Sequence, residues 1–388
     1  MNFPRTLAAL AVVAALALPG SARAADEKPR ARDLGVPFDG SPGMFNAITD
    51  VPGVEVGHST IIKGEGKREI GVGPIRTGVT AVFPRGLASS DPVFAGVFSL
   101  NGNGEMTGAH WLDEFGVLEG PIMLTNTHSV GSVFEAVIAW CLKENRQPDS
   151  EYCWSLPIVA ETWDGELNDI NGFHVRKKHA FEAIESARSG PVQEGNVGGG
   201  TGMICHDFKG GIGTASRVIS ASEGGHTVGV LVQCNYGLRE QLRIAGVPVG
   251  RELTGSGVRV ASEFGSIIIV IATDAPLLPH QLERMARRAA LGLARNGSIS
   301  GSGSGDIFIA FSNANAGAVQ TQRTTAVNVY PSDNMDPLFA ATVEATEEAI
   351  INAMIAAETM TGADGVTVRA LPHGEVREIL RKYNRLAE

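Results

Sequence analysis

The chain has 388 residues, of which 43% are hydrophobic and 19% charged, a mix that supports a packed core and excludes an intrinsically disordered chain. Its formal net charge is -10, with 42 acidic against 32 basic residues and no basic stripe, which excludes a general nucleic-acid binder. The 48 glycines follow no Gly-X-Y period, so collagen is excluded as well.

The N-terminus reads as a targeting segment. Arg5 precedes an apolar run over 6–18, Pro19-Gly20 break it, and Ala22-Arg23-Ala24 has the small-x-small form of a signal-peptidase site. Residues 1–24 are therefore expected to be removed and the protein exported, most simply to a bacterial periplasm. The apolar run is too short to span a bilayer, which takes about 20 residues. No later stretch reads as a membrane helix, so no membrane contact is expected after the cut.

Residues 26–33 are polar and read as a frayed leader. Strands and turns are expected over 48–53 and 54–58, and further strands over 79–83 and 93–100. Residues 130–142 have helical spacing, 156–161 read as a short buried strand, and 179–188 as a helix stopped by Ser189-Gly190. A glycine-dense stretch fills 195–202. Strands follow at 227–234 and, most clearly, 266–273. The spacing then predicts a helix over 279–296, a strand over 307–312, a long helix over 337–359 and a charged helix over 375–386. Residues 34–388 show no repeat and no linker. The pattern implies a layered α/β (α+β) architecture, a buried sheet covered by helices.

Most standard chemistries are missing. The glycine-dense stretch is not GxxxxGK[ST], and Lys209 stands too far along for a phosphate-loop lysine. It reads as a bent loop packed closely on its surroundings, with backbone N–H groups lining a pocket as the functional alternative. There is no HExxH, and His174 and His179 are badly spaced for a shared metal, so neither metal nor organic cofactor is expected. No Gly-x-Ser-x-Gly elbow occurs. Cys141, Cys153, Cys205 and Cys234 form no CxxC pair and read as buried free thiols. If one bridge forms, Cys141 with Cys153 is the first choice.

Gly265-Ser266 opens the clearest strand. A serine after glycine can attack the preceding carbonyl, and hydrolysis of the resulting ester frees a new N-terminal serine. Its α-amine, with a reference pKa of about 7.7–8.0, can then serve as base for its own hydroxyl.

Several segments around this pair resemble the family of L-aminopeptidase/D-esterases and β-peptidyl aminopeptidases. They are 100–108 (Leu-Asn-Gly-Asn-Gly-Glu-Met-Thr-Gly), 126–131 (Asn-Thr-His-Ser-Val-Gly), Glu161-Thr162 through 168–172, 195–203, 208–214, Asn235-Tyr236-Gly237, Gly265-Ser266 and 303–306 (Gly-Ser-Gly-Asp). They occur in the family's order across nearly the whole chain from residue 34. The resemblance implies a four-layer αββα sandwich, similar to N-terminal-nucleophile hydrolases but with different connectivity. It also implies self-cleavage at Gly265-Ser266 into a large chain, 25–265, and a small chain, 266–388. The activity it implies is release of N-terminal residues from small peptides, amides or esters by a homotetramer of processed heterodimers.

Residue by residue, the resemblance makes Ser266 the nucleophile, Ser304 and Asp306 its supporting pair, Asn235 the oxyanion donor and Glu161 the acceptor of the substrate amine. Read alone, Ser304-Gly305-Asp306 is a hairpin or strand-entry turn, Asn235 a turn residue, and Glu161 equally a partner in a structural ion pair. Trp163 stands where the family carries tyrosine, so its indole N–H replaces a phenol at the second oxyanion or pocket position. The alternatives are a catalytically silent relative and an acyltransferase with the same fold. The export signal and the serine, where the related acyltransferases use threonine, count against the latter.

Overall fold

The computed structural model describes residues 28–147, 152–253, 265–319 and 324–387. The expected signal segment, 1–24, lies outside them.

In chain order the strands are β1 (Glu55–Lys63), β2 (Ile75–Phe83), β3 (Val93–Gly102), β4 (Val117–Leu118), β5 (Ile122–Asn126), β6 (Ile158–Thr162), β7 (Ile204–Cys205), β8 (Phe208–Lys209), β9 (Gly211–Val218), β10 (Thr227–Asn235), β11 (Gly265–Thr273), β12 (Ser304–Ser312), β13 (Met360–Thr361) and β14 (Thr367–Val368). The helices are α1 (Ala109–Phe115), α2 (Val130–Lys143), α3 (Lys177–Glu185), α4 (Val249–Glu252), α5 (Pro279–Arg295), α6 (Asp336–Ile355) and α7 (His373–Lys382).

Two sheets carry the fold. One has the order β1-β2-β5-β6, the other β4-β3-β12-β11-β10-β9. Each contains one parallel pair joined through a helix: β5-α2-β6 and β11-α5-β12. A parallel pair needs such a crossover, and the crossover helix lands on a sheet face.

Alternation along β11 shows how the layers stack. Ile267, Ile269 and Ile271 face α5 and α6 in one apolar cluster, with Leu282, Met285 and Ile350. Ile268, Val270 and Ala272 face the other way, against Val82, Leu124 and Ala160 of the smaller sheet. The outer face of that sheet buries Val79, Ala81 and Met123 under Val133, Val137 and Ala183 of α2 and α3. The order is helix, sheet, sheet, helix, the four-layer sandwich expected. Strand β11 reads as an unbroken apolar run because both its faces are buried.

Several local expectations need correction. Residues 48–53 form a short helical turn, Ile48–Asp50, not a strand, because the Asp50 carboxylate accepts from the Phe45 and Ala47 N–H groups and holds the chain in a turn. The described part of the leader is anchored: Arg30 pairs with Glu194 at 2.7 Å, and Arg32 meets the buried Glu348 through two 2.8 Å bonds. Both partners are distant in sequence, which is why the segment reads as frayed. The cysteines are bridged as Cys141–Cys153 and Cys205–Cys234, so the free-thiol reading fails at all four. Their Cα atoms lie 6.1 and 5.8 Å apart, within reach of a bridge.

Candidate active site

Strand ends from both sheets converge on one cavity of about 470 Å³, lined among others by Asn103, Thr127, Glu161, Trp163, Asn235, Gly265 and Ser266. Five sequence-derived residues thus meet there: Gly265, Ser266, Asn235, Glu161 and Trp163.

Ser266 is 5% exposed. It pairs with Asn235 across β10 and with Gly305 across β12, and the Gly305 N–H donates to its Oγ at 3.3 Å. The two glycines around it are dictated by space. A Cβ on Gly265 would sit 2.1 Å from the Asn235 carbonyl oxygen, and one on Gly305 2.3 Å from that of Asn103.

Asn235 is held at both ends of its amide. Its Oδ1 accepts from the Ile204 N–H at 2.7 Å, and its Nδ2 donates to the Trp163 carbonyl at 2.9 Å. One hydrogen of Nδ2 therefore points at Trp163, and the amide has a second to offer. The turn reading of Asn235 is corrected: it ends β10, in full register with β11.

Glu161 is 3% exposed. Its Oε1 accepts from the Glu105 N–H at 3.0 Å and its Oε2 from the Thr127 hydroxyl. Burial pushes its carboxyl above the usual range, and the two hydrogen bonds pull it back in part. Among the described residues no basic side chain pairs with it, so the ion-pair reading finds no support. A buried carboxylate facing a cavity is a receptor for a cation.

Ser304 and Asp306 are fully buried and joined by a 2.7 Å bond from the serine hydroxyl to Oδ1. They are not among the cavity-lining residues. They stand on β12 beside Gly265 and Ile267, so they flank the main chain that carries Ser266. They open β12, and the Ser304 N–H closes the turn that enters it, donating to the Gly301 carbonyl at 2.8 Å, so the strand-entry reading holds and the hairpin reading does not. Burial raises the Asp306 carboxyl, and the Ser304 hydroxyl counteracts this.

Trp163 is 40% exposed. Its ring stands over Gly165, where a Cβ would come within 2.3 Å of it, and meets His128 edge-on at 5.7 Å. Its link to Asn235 runs through the backbone carbonyl, not through the indole N–H.

Thr127 and Asn103 also line the cavity; they lie in the segments 126–131 and 100–108, which carry the family resemblance, but the sequence alone assigns them no role. Asn103 Nδ2 donates to the Gly303 carbonyl at 2.8 Å and ties the loop before β12 to the end of β3. Among the described residues no group of three or more His, Cys, Asp or Glu side chains is placed to hold a metal ion.

The chain resembles known peptidases over most of its length. The model of peptidase family S58 matches residues 46–368. The chain is 55% identical to beta-peptidyl aminopeptidase BapA of Sphingosinicella microcystinivorans, over 97% of this chain and 98% of that one. Among solved structures it superposes on the L-aminopeptidase D-Ala-esterase/amidase of Ochrobactrum anthropi, described as a new variant among the Ntn hydrolase folds. The TM-score is 0.87, with 48% identity, covering 93% of this chain and 100% of that one. A Burkholderia beta-aminopeptidase matches with TM-score 0.83 and 49% identity, over 91% and 99%.

Proposed function

The chain belongs to peptidase family S58 and is an aminopeptidase; from that premise we propose that it activates itself by cleavage at Gly265-Ser266 and works through the serine thus freed. The observation that carries this reading is the meeting of Ser266, Asn235 and Glu161 in one cavity.

In the first step the Ser266 hydroxyl adds to the Gly265 carbonyl, the bond from that carbon to the Ser266 nitrogen breaks, and the nitrogen takes the proton. Water hydrolyses the ester and leaves a Gly265 carboxylate on the large chain, 25–265. The small chain, 266–388, begins with a free α-amine. In turnover that amine accepts the Ser266 hydroxyl proton as Oγ attacks the substrate carbonyl. The Asn235 amide faces the oxygen that becomes negative. The leaving amine takes the proton, and water releases the acyl group. Ser304 and Asp306, beside the new terminus, hold the α-amine in place.

Glu161 binds the substrate's free amine as an ammonium ion. Such an anchor requires an N-terminal residue and so defines exo-cleavage. The substrates are small peptides, amides and esters. Those with a β-aminoacyl group are favoured, because two relatives at 55% and 49% identity carry the name beta-peptidyl aminopeptidase. The processed protein acts in the periplasm as a homotetramer of cleaved heterodimers, without a cofactor.

The test is an intact-mass spectrum of wild type and Ser266→Ala under denaturing conditions, with rates on β- and α-aminoacyl p-nitroanilides. Wild type should give two fragments, the smaller beginning Ser266-Ile267-Ile268, and Ser266→Ala a single inert chain. An uncleaved but active wild type would overturn the reading.

A further inference from the structure

The glycine-rich segment and the lysine after it have no part in the chemistry above. Lys209 is 0% exposed, yet among the described residues its ammonium contacts only main-chain oxygens: Met203 and Gly210 at 2.8 Å and Gly200 at 3.4 Å. Burial pushes its pKa well below the ordinary lysine value, and Asp164 counteracts this only in part. A buried amine without a carboxylate partner is expensive. A methionine of similar length would fill the same space without that cost.

The bond to Met203 shows what the amine does there. The Met203 carbonyl and the Ile204 N–H belong to one peptide group. Its oxygen accepts from Lys209, and its N–H donates to Asn235 Oδ1 at 2.7 Å. The Gly210 N–H donates to the same Met203 oxygen at 2.9 Å. A continuous chain therefore runs from the lysine through one peptide plane to the side-chain amide of Asn235, a residue that lines the cavity. Hydrogen bonds in such a chain polarise one another. Three main-chain oxygens accept from Nζ, which matches the three N–H groups of the ammonium form; in that form the charge draws electron density from the Asn235 nitrogen and makes its N–H a stronger donor.

The glycine-rich loop makes this approach possible. A Cβ on Gly200 would lie 2.4 Å from the Ile212 nitrogen, one on Gly202 2.3 Å from the Arg76 carbonyl, and one on Gly210 2.4 Å from the Cys234 carbonyl. The segment is pressed between β2 and β9, and its carbonyls turn onto the amine.

We propose that Lys209 is a positioning residue of the oxyanion site, aligning and polarising the Asn235 amide through the Met203–Ile204 peptide group. This rests on the reading of Asn235 as the oxyanion donor. A purely structural lysine would affect stability alone. A positioning lysine affects the transition state and leaves recognition of the substrate amine by Glu161 untouched.

The experiment is a double-mutant cycle on the full, processed enzyme with Lys209→Met, Asn235→Ala and the combination. kcat is expressed per small chain beginning at Ser266, and thermal melting is followed in parallel. Lys209→Met is expected to lower kcat about 10- to 100-fold with KM changed less than about twofold. In the Asn235→Ala background it should have no further effect on kcat. Lys209→Gln keeps two donors and no charge; it should fall between the two and serves if the methionine variant does not fold. Equal and additive losses in both backgrounds, or a lower melting temperature with kcat unchanged, would overturn the role of Lys209 while leaving Asn235 in place. An Asn235→Ala enzyme with normal kcat would remove the oxyanion reading itself, and this inference with it.

Discussion

Asn235 and Ser266 are direct partners in the antiparallel pairing of β10 and β11. Side chains of directly opposed residues leave the same face of a sheet with Cβ atoms about 4.5–5.5 Å apart. Both residues line the same cavity. The position of the proposed donor is thus set by sheet register and not by a loop. Asn235→Ala should lower kcat about 10²- to 10³-fold, the usual loss for one oxyanion donor. KM for an aminoacyl p-nitroanilide should change little. Steady-state kinetics on the processed variant check this, and a large rise in KM at constant kcat would assign Asn235 to substrate binding instead.

Glu161 sets stability against function. Its carboxyl is raised in the folded state, chiefly by burial, so the folded protein binds this proton more tightly than the unfolded chain does. The group's contribution to stability is therefore present at pH values below the unfolded carboxyl pKa and is lost as pH rises through the raised one. At neutral pH its charge is a burden. Glu161→Gln keeps an acceptor for the Glu105 N–H, and its NH₂ can donate to the Thr127 hydroxyl, which rotates to accept. The variant should melt a few degrees higher at pH 7 than wild type. Its kcat/KM should fall about 10- to 100-fold, the cost of losing one charge-assisted bond. In wild type kcat/KM should fall toward acid pH as the free Glu161 protonates, and the glutamine variant should lack that limb.

Gly265 has no room for a side chain, since a Cβ would lie 2.1 Å from the Asn235 carbonyl oxygen. Gly265→Ala must displace the end of β11 from β10 or turn the attacked carbonyl away from Ser266. Intact mass over time should show a chain that stays whole or cleaves at least about 10²-fold more slowly, the size of effect expected when a reacting group is misplaced by about 1 Å. Cleavage at the wild-type rate would mean that the carbonyl is not held by this packing.

The strands and helices that read clearly from sequence are those with strong patterns. Strand β11 is a solid apolar run, and α5 has one polar face. Strand β9 does not read as one because Gly211, Gly213 and Ala215 have weak strand preference; its antiparallel pairing with β10 makes it a strand. That Ser266, Asn235 and Glu161 share one site was legible through motif resemblance, and the three do line one cavity. Thr127, Ile204 and Lys209 were not legible, because their roles lie in single hydrogen bonds to residues 34, 31 and 6 positions away. The anchoring of Arg30 and Arg32 was hidden for the same reason.

The cysteines bear on how the protein would hold together after the proposed cleavage. Cys141, Cys153, Cys205 and Cys234 all precede Ser266, and both bridges, Cys141–Cys153 and Cys205–Cys234, close within the proposed large chain. No disulfide would then join the two proposed chains. The sheet would: β11 and β12 of the proposed small chain sit between β10 and β3 of the proposed large one, and α5 and α6 cover the same layer. This buried, hydrogen-bonded interface is as apolar as a domain core, so the chains should stay together through native chromatography. They should separate in denaturant without any reductant. Denaturing electrophoresis is expected to give the same two bands with and without thiol, and thiol titration of the unfolded, unreduced protein should find no free sulfhydryl. A single band that splits only on reduction would require a bridge across the cleavage site. Four titratable thiols would restore the reading of these cysteines as free.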